Sequence, residues 1–425
     1  MKPIPTSEAR TSNLEPPVTR HHRRLYYGWV MVLTLSLTET TSWGILYYAF
    51  AVFLTPMGAE MGWSVAEMTG AYSLALLLSG VAGIPVGRWL DRHGPRALMT
   101  VGSIAATLLV LAWAAVDSLW MFYLIWMGIG VTMAAVLYEP AFVVVATWFV
   151  RGRGRALTVL TFLAGLASVI YIPLANGLVQ RYGWREALVI LAIILGIGTI
   201  PLHALVLRRS PQTLGLLPDG ALTVPQPRTG ASAERSATVR EAVRSAAFWW
   251  LNSAFILATL ATMTLTVHLI PYLLMRDFSA GFAASAAGAV GLLALPGRLI
   301  FTPLGGRVPR QIVTAAIFAL QTASLLVLLL VPTTTGVVIF VILFGAGFGA
   351  ITPARAALVS DLYGTANYGS INSIVSLCLT LSRAVAPVGA GLLFILLDSY
   401  TPVLWTAVTV SALASVAALR ARGNR

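Results

Sequence analysis

The sequence predicts an all-α membrane protein of twelve transmembrane helices arranged as two pseudo-symmetric six-helix bundles. Three observations carry that prediction. The 425-residue chain is 58% hydrophobic and only 10% charged, with a mean hydropathy of +0.83, whereas soluble domains carry about 25% charged residues. Apolar runs of about 20 residues, long enough to cross a bilayer as a helix, recur from Gly28 to Leu419. One long polar segment divides those runs six and six.

Taken in order, residues 1–24 are rich in Pro, Thr and Arg without an apolar period and read as a disordered tail. They lack the basic-then-apolar-then-cleavage pattern of a secretory signal. Tyr26, Tyr27 and Trp29 follow as interface anchors. The first bundle, 25–207, is expected to hold spans at 28–54, 67–88, 97–116, 119–149, 156–178 and 187–207. The segment 208–246 carries Pro211, Pro218, Pro225, Pro227 and both charge signs, and reads as a cytoplasmic linker. The second bundle, 247–420, is expected to hold spans at 247–274, 282–305, 311–331, 336–360, 369–397 and 401–419, with a short tail at 421–425.

An even number of spans returns both termini to one face. Of 28 Arg and Lys, 22 lie on that face, three on the other and three inside spans. The positive-inside rule then makes the termini cytoplasmic, and the expected location is the plasma (bacterial inner) membrane. The net charge of +13 is thus spread in short blocks beside apolar runs, not gathered into a nucleic-acid surface. Lys2, the one lysine, sits in the polar tail. That excludes a P-loop, whose Lys reaches nucleotide phosphates, and a lysine Schiff base within the membrane. Cys378 has no second cysteine to pair with. No H-E-x-x-H, Cys/His cluster or Ser/His/Asp arrangement is present, so no metal, no cofactor and no enzymatic centre is expected.

Between the second and third runs lies Gly87-Arg88-Trp89-Leu90-Asp91-Arg92-His93-Gly94-Pro95-Arg96. So short a charged loop between apolar runs is a tight turn at the membrane surface. Its pattern, G-x-x-x-D-R-x-G-x-R, resembles the loop between helices 2 and 3 of major facilitator superfamily transporters. The loop has a partial counterpart at 302–307, offset by 215, and Gly128-x-Gly130 recurs as Gly345-x-Gly347-x-Gly349, offset by 217. Parallel repeats about an axis along the membrane normal are the architecture of that superfamily. Phe149-Val-Arg-Gly-Arg-Gly-Arg155-Ala156 with Ala164-Gly165, Gly297-Arg298-Leu299 and Tyr27-Gly28-Trp29 are similar to motifs of its monocarboxylate and oxalate/formate branch. Two departures limit the likeness. The first-helix lysine of animal monocarboxylate carriers aligns near Tyr48, and the fourth-helix arginine of proton antiporters has no match before Gly128. The resemblance implies two bundles that rock about a midplane site, working as a monomer. It gives Gly87, Asp91, Arg92, Gly94 and Arg96 a gating role.

Five charged residues lie well inside spans: Glu39, Glu139, Arg298, Arg355 and Arg383. At a helix centre each costs about 2.5–3.5 kcal/mol on insertion scales, so they must face the bundle interior or a watery cavity. Both acids fall in the first half and all three bases in the second. In the superfamily's fold the spans that carry them line the central cavity, while spans 3, 6, 9 and 12, which hold no such charge, lie outside. Trp43 and Tyr47 follow Glu39 at i+4 and i+8 on one helical face. Glu139 lies 12 residues before Arg151, about 18 Å at 1.5 Å per residue, and precedes Pro140, which weakens the helix one turn earlier.

Arg298 follows Pro296-Gly297, and Arg383 shares a face with Asn372, Ser376 and Thr380. Guanidinium forks match carboxylates and stay charged at any working pH. Arg298 and Arg383, with Trp43 and Tyr47, are therefore the expected anion site, and Glu39 and Glu139 the expected proton carriers. Arg355 and Asp361 are expected to act as a gate or clamp. His268 is expected to be a hydrogen-bond partner. A pairing of the acids with the bases across the halves stays open at this point.

The function expected is a secondary transporter moving a small organic anion, a carboxylate, with protons. Two alternatives stand beside it: a proton-coupled exporter of amphipathic drugs or cations, and a non-transporting receptor or scaffold on the same fold.

Overall fold

A computed structural model describes residues 26–221, 236–304 and 308–422. The expected tail at 1–24, the middle of the linker, the repeat residues 305–307 and residues 423–425 lie outside the described residues. Twelve helices are long and apolar enough to cross a bilayer. They are α1 (Tyr27–Met61), α2 (Val65–His93), α3 (Pro95–Ala114), α4 (Leu119–Trp148), α5 (Arg153–Tyr182) and α6 (Trp184–Leu205). After the linker come α7 (Ala246–Leu274), α8 (Ala280–Leu304), α9 (Arg310–Leu330), α10 (Thr334–Tyr363), α11 (Tyr368–Leu397) and α12 (Tyr400–Arg420). Among the described residues there is no strand. Helix α1 outruns its expected end by a turn or more, because Glu60 is tied to the rim of the bundle. Its carboxylate accepts from Trp184 Nε1 at 2.6 Å and Arg185 Nε at 3.0 Å.

The two bundles repeat one packing scheme. In the first, α1 packs on α5, α2 on α4 and α3 on α6; in the second, α7 packs on α11, α8 on α10 and α9 on α12. Close approaches recur in register. A Cβ on Gly130 would strike the carbonyl of Ala75, and one on Gly345 would strike that of Val290. Both members of the second pair lie 215 residues after the first (75 to 290, 130 to 345), the offset of the loop motif. Small residues let helices approach closely where no hydrophobic force drives them together. Helices α3, α6, α9 and α12 sit outermost. Exposed Val101, Leu108, Ile197 and Leu413 on them form the lipid-facing surface.

Three helices are interrupted where they border the space between bundles. In α1 the turn Gly44–Tyr48 is widened, with Ala49 N–H reaching the Gly44 carbonyl at 2.8 Å. Such i→i+5 turns are rare and often mark functional positions. Helix α4 breaks at Leu137, which leaves helical geometry at φ −97° and ψ −162°, next to residue 136 whose carbonyl the Pro140 ring crowds. Helix α5 breaks at Gly165 and Leu166.

The bundles meet mainly on the face that carries the chain ends. There α2 lies along α11, and the first segment of α5, Arg153–Ala164, lies along α8 and α10. The second segment of α5, Ala167–Tyr182, packs within its own bundle. Away from the termini face, a Cβ on Gly288 or Gly291 would meet nothing within 4 Å, and the inter-bundle contacts are confined to the termini half. A cleft therefore runs in from the face opposite the termini and ends at the packed half.

Candidate functional site

The cleft floor is built around one ion pair. Arg355 Nη2 on α10 lies 2.9 Å from Glu139 Oε1 on α4. The same carboxylate accepts from Ser376 and Asn372 of α11, and Arg355 also donates to Ser376. The break at Leu137 places Glu139 in the first turn of a new helical segment, aimed across the gap. The partners are 216 residues apart, which matches the internal repeat. A residue close to a two-fold axis meets its own symmetry mate, and the separation of 216 fits such a meeting, with an acid in one half and a base in the other. Of the five intramembrane charges, only these two form an ion pair among the described residues.

Glu39 is fully buried on α1, and neither carboxyl oxygen has a hydrogen-bond partner among the described residues. The Trp43 indole is close by but does not meet hydrogen-bond geometry. Trp43 and Tyr47 join a wider aromatic wall. Ring centroids are 5.0 Å apart for Trp43 and Tyr47, 5.0 Å for Trp43 and Tyr138, 5.1 Å for Tyr47 and Tyr48, and 5.7 Å for Tyr47 and Tyr72. The widened turn in α1 brings Tyr48 into this wall. Fully buried Trp113 and Trp126 back it: Trp126 meets Phe50 and Trp113 in T-shaped contacts, a geometry favoured by the ring quadrupole.

The second bundle faces that wall with two arginines in different states. Arg298 spans the seam between bundles. It donates to the carbonyl of Thr161 on α5 and, at 3.3 Å, to that of Gly349 on α10. Gly165, at the α5 break, leaves the space its guanidinium fills. Arg383 sits midway along α11, is exposed to the cleft, and has neither hydrogen bond nor ion pair among the described residues. Tyr47, Arg355 and Glu139 are its neighbouring ionisable groups. His268 is fully engaged, with one ring nitrogen 3.1 Å from Tyr400 Oη and the other 3.1 Å from the Pro387 carbonyl.

On the termini face, Asp91 caps α11. Its carboxylate accepts from Gly369 N at 2.8 Å, Ser370 N at 2.9 Å and Ser370 Oγ at 2.6 Å, so an acid meets the positive end of a helix dipole. Gly87 lets the helices close, since a Cβ there would strike the Gly369 carbonyl and Ser373. Arg96 braces its own bundle, with Nε 2.6 Å from the Ala204 carbonyl. Gly94 makes the turn at φ 80°, and Arg92 is exposed.

Asp361 pairs with Arg310 at 2.7 Å and, across the seam, with Arg153 at 3.3 Å. Sequence reasoning treated Arg153 only as one charge in a basic run, although it is 3% exposed. Asp219 was missed too. It accepts from the backbone of Val150, Arg151 and Gly152 at 3.1, 2.7 and 2.9 Å, seating the start of the linker on α5. Burial and the neighbouring Asp219 carboxylate push the Tyr26 hydroxyl up to about 12. Among the described residues, no group of three or more His, Cys, Asp or Glu could hold a metal ion.

The family model of the Major Facilitator Superfamily matches residues 33–387. Monocarboxylate transporter 13 of Bos taurus is 25% identical over 346 residues, 80% of this chain and 76% of that protein. The uncharacterized MFS-type transporter YcxA of Bacillus subtilis is 22% identical over 388 residues, covering 87% and 89%. Among solved structures, the transporter FucP in the outward conformation aligns with a TM-score of 0.72 at 15% identity, over 94% of this chain and 100% of that one. A bacterial homologue of ferroportin in its outward-facing state aligns at 0.69 and 16%, over 93% and 99%. The chain is an integral membrane protein and belongs to the major facilitator superfamily of transporters.

Proposed function

We propose that the chain is a secondary active transporter that moves a small organic carboxylate together with protons by alternating access. The single observation that carries this reading is Arg383, a cation in mid-membrane, exposed to the cleft and without a partner among the described residues. An uncompensated charge there is expensive, and a carboxylate that docks on the guanidinium fork offsets that cost with paired, charge-assisted bonds. Arg298 supplies a second donor at the seam, and Tyr47 and Trp43 hold the organic body of the cargo. Glu39 is the proton carrier. As an isolated buried anion it would be costly, whereas a carboxylic acid is neutral and tolerated. Glu139 responds when its bond to Arg355 is exchanged. The resemblance to monocarboxylate transporters at low identity supports the same substrate class. The asymmetry of basic residues supports termini in the cytoplasm of a cell whose plasma membrane holds the protein, with the cleft open outward.

Proteoliposomes test the reading. Counterflow of a labelled carboxylate, driven faster by an inward proton gradient, is the expected outcome, and Arg383→Ala should abolish it while the protein stays folded. Carboxylate uptake that survives Arg383→Ala at the wild-type rate would overturn the anion site. The aromatic wall favours a second reading, export of amphipathic aromatic compounds against protons. Protection of an efflux-deficient host from lipophilic cations, without carboxylate uptake, would select it.

A further inference from the structure

We propose that a groove at the termini-face ends of α3 and α6 binds the headgroup of an anionic phospholipid. The groove encloses about 520 Å³, with His93, Arg96, Arg208 and Arg209 around it and Val101 and Leu207 in its wall. None of its three arginines has a carboxylate within ion-pair distance among the described residues. Backbone bonds fix two of them without using up their donors. Arg96 spends Nε on the Ala204 carbonyl at 2.6 Å, and Arg208 spends Nη1 on the carbonyls of Leu205 and Leu207 at 2.8 and 3.0 Å. Arg209 makes no hydrogen bond among the described residues and lies against Gly94, the turn between α2 and α3. Several guanidinium N–H groups therefore remain free around one concavity, which suits the oxygens of a phosphodiester.

Two features select a lipid over a soluble phosphate. The groove lies between two of the outermost helices, and the exposed face of α3 continues from Val101 through Ile104 and Leu108, a track for acyl chains. In the corresponding corner of the second bundle two of the described arginines already have protein partners. There Arg310 pairs with Asp361, and the Arg420 guanidinium stacks 5.0 Å over Trp250.

Native mass spectrometry of the full chain tests the assignment, titrating phosphatidylglycerol against phosphatidylcholine of the same chains. The wild-type protein should retain one phosphatidylglycerol about tenfold more tightly, in line with the gain per basic residue near an anionic surface. Arg208→Gln/Arg209→Gln should lose that preference, and Arg209→Gln alone should weaken it about fivefold. Arg181→Gln/Arg276→Gln, on the opposite face, should leave it unchanged. Equal retention of the two lipids by the wild-type chain overturns the proposal, and so does a folded double variant that keeps the preference. Displacement of phosphatidylglycerol by millimolar glycerol phosphate would assign the groove to a soluble phosphate instead. The wild-type comparison and the single variant keep the test decisive if the double variant does not fold.

Discussion

The two seams that join the bundles are equivalent under the internal repeat, yet they are built from different chemistry. At the α2/α11 seam, backbone meets backbone across Gly87 and Gly369, and Asp91 caps the incoming helix. Every partner there is a small residue or a main-chain group. At the α5/α8 seam, a long cation from one bundle, Arg298, reaches the Thr161 carbonyl of the other, which also accepts from Gly165 N–H. The first seam is steric and offers nothing that a cargo could replace. The second is held by a group that an anion could capture from its carbonyls. A two-fold scaffold can thus carry one fixed latch and one that responds to substrate, with Glu139 and Arg355 tied between them.

That central tie gives the largest expected effect. Glu139→Ala leaves Arg355 buried without its anion, and losing one member of a buried pair costs about 3–5 kcal/mol. A fall in thermal unfolding temperature in detergent should report it, and Glu139→Arg/Arg355→Glu should recover part of the loss. Equal melting of Glu139→Ala and wild type would mean that the seams alone hold the closed face. Next comes the steric latch. Gly87→Leu drives a side chain into the Gly369 carbonyl, and overpacking of this kind costs about 1–3 kcal/mol. The expected result is a shift of about tenfold or more toward states open on the termini face. Labelling of a cysteine placed at Ser373 would read that shift, and unchanged labelling would deny the seam its steric character.

The parts of this arrangement that the sequence exposes are those encoded locally. Twenty apolar residues suffice to define a span, and the charged loop at Asp91 announces its own turn. Charges inside spans also declare themselves, because few residues are so costly there. What stays hidden depends on the relation between bundles. Both acids and all three arginines were legible, but the choice of Arg355 as the partner of Glu139 follows from how the halves are rotated about their axis. Tyr48 was hidden for a local reason. Successive residues on a regular helix are about 100° apart, so periodicity puts Tyr47 beside Trp43 and turns Tyr48 away. The widened turn at Gly44 cancels that rotation. Arg153 was masked by its neighbours, since Arg151 and Arg155 give the same positive-inside signal without reaching Asp361.

Two conservative substitutions, one per seam, give the smallest effects and the finest separation. Arg298→Lys keeps the charge but cannot fork between the carbonyls of Thr161 and Gly349. It forfeits one hydrogen bond from a charged group, about 1.5–3 kcal/mol at most and less where the ammonium finds one carbonyl. If this seam also meets the anion, the substitution should raise KM for the transported carboxylate while also loosening the closed state. Asp91→Asn keeps one acceptor oxygen for either Gly369 or Ser370 and turns an NH2 toward the other, so it loses one hydrogen bond along with its charge against the α11 dipole, about 1–2 kcal/mol in all. It should loosen the closed state with KM unchanged, because nothing at that seam faces the cleft. Transport kinetics and cysteine accessibility measured on the same two variants make the comparison. A KM shift in Asp91→Asn equal to that in Arg298→Lys would show that both latches answer to the cargo, and the distinction between the seams would fall.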